Sequence, residues 1–212
     1  MSGARHEGCG LSPGWPVTLR HGRIGVRPLR RRDARTWARL RADNASWLAP
    51  WEATLPREAG PAALSYVGMI GTMRRRARLG QTMPFVLTWD DEVVGMLTVN
   101  GITWGSARWA NVGYWVSQTH AGRGVTPTAV ALVCDHLLTT VGLHRVEIAI
   151  RPENAASLRV VDKLGFTEVG LAPRFLHIAG HWRDHRLFQI LAEDVPDGLV
   201  DRLDLPPLDP PD

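Results

Sequence analysis

Apolar and polar positions change period several times along this chain, and each change marks an expected element. Ile24 to Leu29 reads as a first strand, and Asp33 to Asp43 as a helix with Ala34, Trp37, Leu40 and Arg41 in register. Residues 58–79 follow as a longer, arginine-edged helix. Three β-rich runs come next, Pro84 to Trp89, Val93 to Gly101 and Arg108 to Val116, with polar breaks such as Asp90-Asp91 between them. They predict an antiparallel meander. Val130, Val133, Leu137 and Val141 then fall on one helical stripe, which Gly142 ends. Arg145 to Ile150 alternates and places Val146, Ile148 and Ile150 on one face; a helix over 154–164 buries Leu158, Val161 and Leu164 and stops at Gly165. Phe166 to Leu176 and Arg186 to Leu191 close the sheet as a hairpin across Ile178 to Asp184. The order predicts an α+β fold: a mixed, mostly antiparallel central sheet with flanking helices.

At 212 residues and 44% hydrophobic content, the chain has enough apolar surface for a real core, read as one domain over 17–195. Residues 1–16 read as a flexible leader and 196–212 as a C-terminal tail, whose proline-rich end cannot form a regular helix. Cys9 and Cys134 lie far apart with no disulfide framework, which fits a reducing cytoplasm. Neither a signal-peptide core nor a run of about eighteen apolar residues occurs, so no membrane partner is expected. The net charge of +4 hides arginine clusters at Arg30-Arg31-Arg32 and around Arg74-Arg75-Arg76. These suit either a solvated helix face or an anionic partner. No aromatic stacking pattern or helix-turn-helix signal points to nucleic acid, and the eight histidines show no metal-ligand spacing.

The sharpest local signal is Ala121-Gly122-Arg123-Gly124-Val125-Thr126, a glycine-bracketed turn between a strand and a helix. Two glycines let the backbone approach a ligand closely, and a helix start offers unpaired N–H donors with the positive end of the helix dipole. Such a turn cradles anions, phosphates above all. Thr126 is the expected N-cap and Pro127 the first helical residue.

This order of elements, with the glycine turn after the fourth strand and Asn154-Ala155-Ala156-Ser157 opening the helix after the fifth, resembles the GNAT superfamily of acetyl-CoA-dependent N-acetyltransferases. The likeness covers about residues 17–195. Arg151 to Ser157, continuing to Lys163-Leu164-Gly165-Phe166, is similar to a signature of the branch that acetylates protein N-termini and related amines. Leu48 to Glu52 and Leu176 to His185 are similar to RimJ-type ribosomal-protein alanine N-acetyltransferases. Within the turn the chain departs from the family pattern twice. Ala121 stands where Gln or Arg is usual, and Thr126 where Gly or Ala is, so the backbone amides must carry the binding.

The resemblance implies that an amine attacks acetyl-CoA directly in a ternary complex, without a metal. It places Gly122, Arg123, Gly124, Val125 and Thr126 at the coenzyme pyrophosphate and Asn154 at the pantetheine arm, with Tyr114, Trp115 and Val116 in a kinked strand that leaves an amide for the thioester oxygen. Ser157 takes the position near the sulfur, as proton donor or as hydrogen-bond partner of the thiolate. Where many relatives carry a basic carboxylate this chain has Asn111, which orients a water or the substrate instead. An α-amine of pKa about 8 is about one-tenth neutral at pH 7, whereas a lysine amine is almost wholly charged, so the missing carboxylate points to an α-amine acceptor. Trp51 and Glu52 are the candidate acceptor-binding residues, Glu52 being otherwise a surface carboxylate. His120 reads as a hydrogen-bonding strand-end residue, and Trp182 to His185 as a branch marker.

The leading expectation is a cytoplasmic enzyme, monomer or homodimer, acetylating a protein N-terminus such as the alanine of a ribosomal protein, with the ribosome as a partner. A small-molecule amine acetyltransferase and a non-catalytic acyl-CoA-binding module are the alternatives. An open acceptor channel separates the first from a closed, acidic pocket in the second.

Overall fold

A computed structural model describes residues 13–56 and 65–203. Its framework is an eight-stranded sheet ordered β1-β2-β3-β4-β5-β6-β8-β7. The strands are β1 Leu19–His21, β2 Ile24–Pro28, β3 Thr82–Trp89, β4 Glu92–Thr103, β5 Trp109–Val116, β6 Arg145–Ile150, β7 Thr167–Ile178 and β8 His181–Leu191. Every pairing is antiparallel except β5 with β6. That pair is parallel because helix α4, Val125–Asp135, crosses between its two strands.

Helices cover both faces of the sheet. On one side α1, Ala34–Asp43, and α3, Tyr66–Arg78, bring Trp37 and Ile70 against Leu29, Val86 and Met96. On the other, α4 and α5, Ala155–Leu164, enclose a larger core containing Phe85, Leu97, Val130, Val161, Phe188 and Ile190. Buried between two layers, β3 has no polar face, and its side chains from Thr82 to Thr88 are all buried. β6 alternates as its sequence predicts, with Val146, Ile148 and Ile150 on the α4/α5 side. Helix α4 gives way at His136–Val141 to a π-helical segment that ends at Gly142, whose φ of 78° suits a residue without Cβ.

Most expected elements are present, with instructive differences. β1 and the four-residue α2, Ala45–Leu48, were not expected; both are too short to show a period. The helix expected over 58–79 runs from Tyr66, capped by the Ser65 hydroxyl, and residues 57–64 lie outside the described part. Thr126 is not the N-cap of α4. Gly124 takes that place at φ 80°, so Thr126 and Pro127 sit inside the first turn. The closing hairpin turns at Ala179-Gly180, which draws Trp182, Arg183 and Asp184 into β8. The packed unit also reaches past 17 and 195: Trp15 meets Phe85 edge-on at 4.9 Å, and Leu199 is wholly buried. Leu199 is held because the Asp135 carboxylate accepts the amides of Leu199 and Val200. The remainder of the leader, 1–12, and of the tail, 204–212, lies outside the described residues.

The entry to α1 is fixed by one buried charge. Asp33, 5% exposed, accepts two hydrogen bonds from the Arg27 guanidinium at 2.8 and 2.9 Å and one from the Arg30 amide at 2.8 Å. Burial by itself raises this carboxyl's pKa, but the Arg27 hydrogen bond, the Arg30 amide and both arginine charges outweigh it and hold the group below its ordinary value. Removing the carboxylate leaves Arg27 buried without its counter-charge, so Asp33→Ala is expected to lose about 3 kcal/mol at pH 7 in urea denaturation. A lowered carboxyl pKa gives stability that is complete above the unfolded value and is lost on acidification below about pH 4. The wild type should therefore show this acid-dependent loss and the variant should lack it.

Candidate active site

The site begins where the sheet opens. β5 pairs with β4 along its whole length, in unbroken register from Asn111 to Val116, but with β6 only over Trp109, Ala110 and Asn111. Beyond Asn111 the two strands diverge. The Ser117 amide bonds to the Val94 carbonyl on the β4 side, so by strand alternation the backbone N–H and C=O groups of Val116 and Tyr114 face the gap. One of these carbonyls is engaged: the Val116 oxygen accepts from the Trp47 indole at 3.2 Å. The expected kink does not lie at Tyr114 to Val116; the only shift in the β4–β5 register falls between Asn100 and Thr103. Divergence, not a bulge, frees the amides.

Two clefts meet at the gap. One, of about 560 Å³, lies beside the glycine turn and is lined by Trp115, Val116, Ala121, Gly122, Gly124, Thr126, Pro127 and one face of α5. The other, of about 510 Å³, is lined by Asn111, Gly113, Glu147, Arg151, Phe175, Leu176 and His185. Trp51, Tyr114, Asn154 and Ser157 line both and therefore mark the junction.

Local chemistry shapes the first cleft as an anion site. The first α4 hydrogen bond to a following amide is from Thr128 to the Gly124 carbonyl, so the Val125 and Thr126 amides have no partner inside the helix, and Pro127 has none to offer. Gly122 faces open space where a side chain would stand. The side chains of Val125, which is buried, and of Arg123 line neither cleft. Arg159 and Lys163, four residues apart on α5, do line it and place two cations along its wall. That helical spacing is visible in the sequence and was the signal that could have found them.

At the junction, the Asn154 side chain accepts from the Ser157 amide at 3.1 Å and so caps α5 while it borders both clefts. The Tyr114 hydroxyl is buried without a hydrogen-bond partner of ordinary geometry among the described residues. Burial pushes this phenol well above its usual range, and the neighbouring Ser157 hydroxyl offsets part of the rise. It is a neutral donor at any physiological pH.

In the second cleft, Asn111 stands in register with Glu147 on β6. A carboxylate absent from β5 is thus supplied by its neighbour, although Glu147 is held by Arg145 at 2.5 Å. Trp51 is fixed by Arg151, whose guanidinium lies 5.5 Å over the indole ring and donates to the Pro50 carbonyl at 2.6 Å. Glu52 lines neither cleft; it is drawn away into an ion pair with Arg41, which also lies 5.5 Å over the Trp115 ring. His120 is likewise outside both clefts, with Nδ1 2.9 Å from the Ser117 hydroxyl. Among the described residues no group of three His, Cys, Asp or Glu side chains is placed to hold a metal.

Residues 23–167 match the acetyltransferase (GNAT) domain family. The chain belongs to that family. A structure of Mycobacterium smegmatis RimJ in complex with CoA-disulfide superposes on this GNAT chain with a TM-score of 0.85 at 40% identity, covering 91% of this chain and 96% of that one. The [Ribosomal protein uS5]-alanine N-acetyltransferase of Escherichia coli is 28% identical over 180 residues, 84% of this chain and 92% of the relative. The probable N-acetyltransferase YjcK of Bacillus subtilis is 36% identical over 105 residues, so this chain spans only 58% of that relative's length. The protein is an acetyl-CoA-dependent N-acetyltransferase of GNAT fold. The open strand pair, the free helix-start amides and the cationic wall of α5 fit a phosphate-bearing, extended co-substrate of this kind.

Gly124→Ala tests the turn. A Cβ at φ 80° costs about 1–2 kcal/mol, and a shift of the helix start moves the amides. Calorimetric titration with coenzyme A should show affinity falling about tenfold or more, with a lower unfolding temperature.

Proposed function

We propose that this acetyltransferase modifies the N-terminal α-amine of a protein in the cytoplasm, an alanine-starting ribosomal protein being the acceptor class that its relatives' names support. The observation that carries this reading is the second cleft. It is roomy, it joins the first at Tyr114, and among the described residues that line it Glu147 is the one carboxylate, paired with Arg145. A polyamine or aminoglycoside site needs several free carboxylates. A peptide N-terminus needs a channel with apolar walls, which Trp51, Phe175, Leu176 and Leu187 supply.

Bound acetyl-CoA brings an acetyl group activated as a thioester. In this reading the Gly122-to-Thr126 backbone and the α5 cations Arg159 and Lys163 hold the phosphates, while Asn154 and the walls at Trp115 and Val116 position the pantetheine arm. A gap-facing amide of β5, from Tyr114 or Val116, polarises the acetyl oxygen. Asn111 hydrogen-bonds the acceptor, and Trp51 stacks against its first residues. Tyr114 and Ser157 together supply the proton that the sulfur takes on leaving. Tyr114 is a donor because burial keeps it protonated; Ser157 orients it.

Two measurements test this. Labelled acetyl-CoA offered with Ala-starting peptides, free ribosomal proteins, polyamines and aminoglycosides should label the Ala-starting acceptors preferentially; preference for a polyamine or aminoglycoside would overturn the assignment. Tyr114→Phe should lower kcat about 100-fold with little change in coenzyme A affinity. Because the Tyr114 hydroxyl is buried with only the Ser157 hydroxyl beside it, the substitution should change stability by no more than about 1 kcal/mol in thermal denaturation.

A further inference from the structure

The machinery described so far lacks an acceptor for the proton that the amine loses. Asn111 cannot take one, Glu52 is directed elsewhere, and Glu147 is paired with Arg145. Among the described residues that line the second cleft the one imidazole is His185, immediately before Arg186, where the pairing of β8 with β6 begins.

We propose that His185 is the general base for the acceptor amine, taking its proton at Nε2 directly or through one water. Its ring is 3% exposed and lines the cleft. Nδ1 lies 3.1 Å from the Arg183 carbonyl. A carbonyl accepts only, so Nδ1 carries the hydrogen and the neutral ring keeps its lone pair on Nε2.

Sheet geometry sets this ring on the face of the sheet opposite the proton donor. Val146, Ile148, Phe188 and Ile190 face the α4/α5 core, so alternation places Glu147, Leu187 and His185 on the other face of the sheet, together with Asn111. Tyr114 packs on the α4/α5 side, beside Ser157. An acceptor entering the second cleft therefore meets a base on its own side, and the sulfur meets a donor on the far side of the gap.

The Trp182-to-His185 segment holds this arrangement rather than merely marking a branch. β7 bulges between Ala172 and Leu176, where Arg174 adopts φ 51°, and the Asp184 carboxylate accepts the Arg174 amide at 2.7 Å. The bulge aims Phe175 and Leu176 into the cleft and sets the Phe175 ring 5.6 Å from the imidazole. Asp184 is thus a positioning residue.

The charged groups around His185 act in both directions. Burial is the largest influence and lowers its pKa below the ordinary 6.5; the Arg183 carbonyl raises it, Arg151 lowers it, and Glu153 and Asp184 raise it. The balance keeps the imidazole neutral, and so competent as a base, at neutral pH. In the step itself the amine lone pair forms the C–N bond to the acetyl carbon, and the C–S bond breaks with its electron pair going to sulfur. The proton leaving nitrogen goes to Nε2 of His185, and sulfur takes one from the Tyr114–Ser157 pair. Solvent then reprotonates that pair and removes the proton from the imidazole.

The inference rests on the α-amine reading above, and one experiment separates the two. Long-range ¹H–¹⁵N spectra of the wild-type protein should show His185 with hydrogen on Nδ1, titrating below pH 6.5, and its Nε2 resonance should shift when coenzyme A and an Ala-starting peptide are added. The low-pH limb of kcat should disappear in His185→Gln, with kcat falling about 100-fold and coenzyme A affinity unchanged. An Nε2–H tautomer, or a His185→Gln enzyme that keeps the wild-type pH profile and rate, would overturn the role of His185. Wild-type turnover of a non-peptide amine with the Nε2 shift seen only for that amine would overturn the acceptor class while sustaining the base.

Discussion

The divergence of β5 from β6 after Asn111 is the constraint on which everything else in this protein depends. Two parallel strands normally satisfy each other's amides along their length, and leaving polar backbone groups without partners in a core is costly. Here part of the cost is offset by hydrogen bonds from neighbouring elements. Trp47 from α2 donates to the Val116 carbonyl, Asn44 accepts the Gln118 amide at 2.8 Å, and α5 buries Val161 and Leu164 in the core on one face of the sheet. The result is a slot with hydrogen-bonding edges that passes from one face of the sheet to the other.

A slot through a sheet gives an acetyl transfer two chemically distinct sides. The α4/α5 side carries helix-start amides, Arg159 and Lys163, which suit phosphates, and a buried phenol that stays protonated. The opposite side carries apolar walls, an amide side chain at Asn111 and a buried imidazole that stays neutral. Burial moves the two titratable groups in opposite directions, since it disfavours the phenolate in one and the imidazolium in the other. That is the arrangement a proton-donating and a proton-accepting group require at one pH.

Much of this was legible in the chain. Periodicity located the meander, β6 and α5, because burial on one face imposes a period of two or 3.6 wherever a strand or helix borders a core. Glycines 142 and 165 closed their helices as expected, for want of a Cβ at positive φ. Turn chemistry was less legible. Thr126 looked like an N-cap from its residue type, but the cap is Gly124, whose φ of 80° is a backbone property that no hydroxyl signals. The closing hairpin was expected, but its turn was drawn too wide, across Ile178 to Asp184, because exposed β8 residues such as Trp182 and Asp184 carry no apolar signal of a strand.

The sequence alone determined the order of elements, the glycine turn with its following helix, and the Asn154–Ser157 helix start, because each is a local matter of period, cap or turn residue. Only the tertiary structure decided which side chains share a site. Asn111 meets Glu147 through parallel register, Glu52 is captured by Arg41, and Tyr114 and His185 come to opposite sides of one gap although 71 positions apart. Such relations depend on strand register and on which strands separate. Long-range packing sets both, and no local pattern of residues records it.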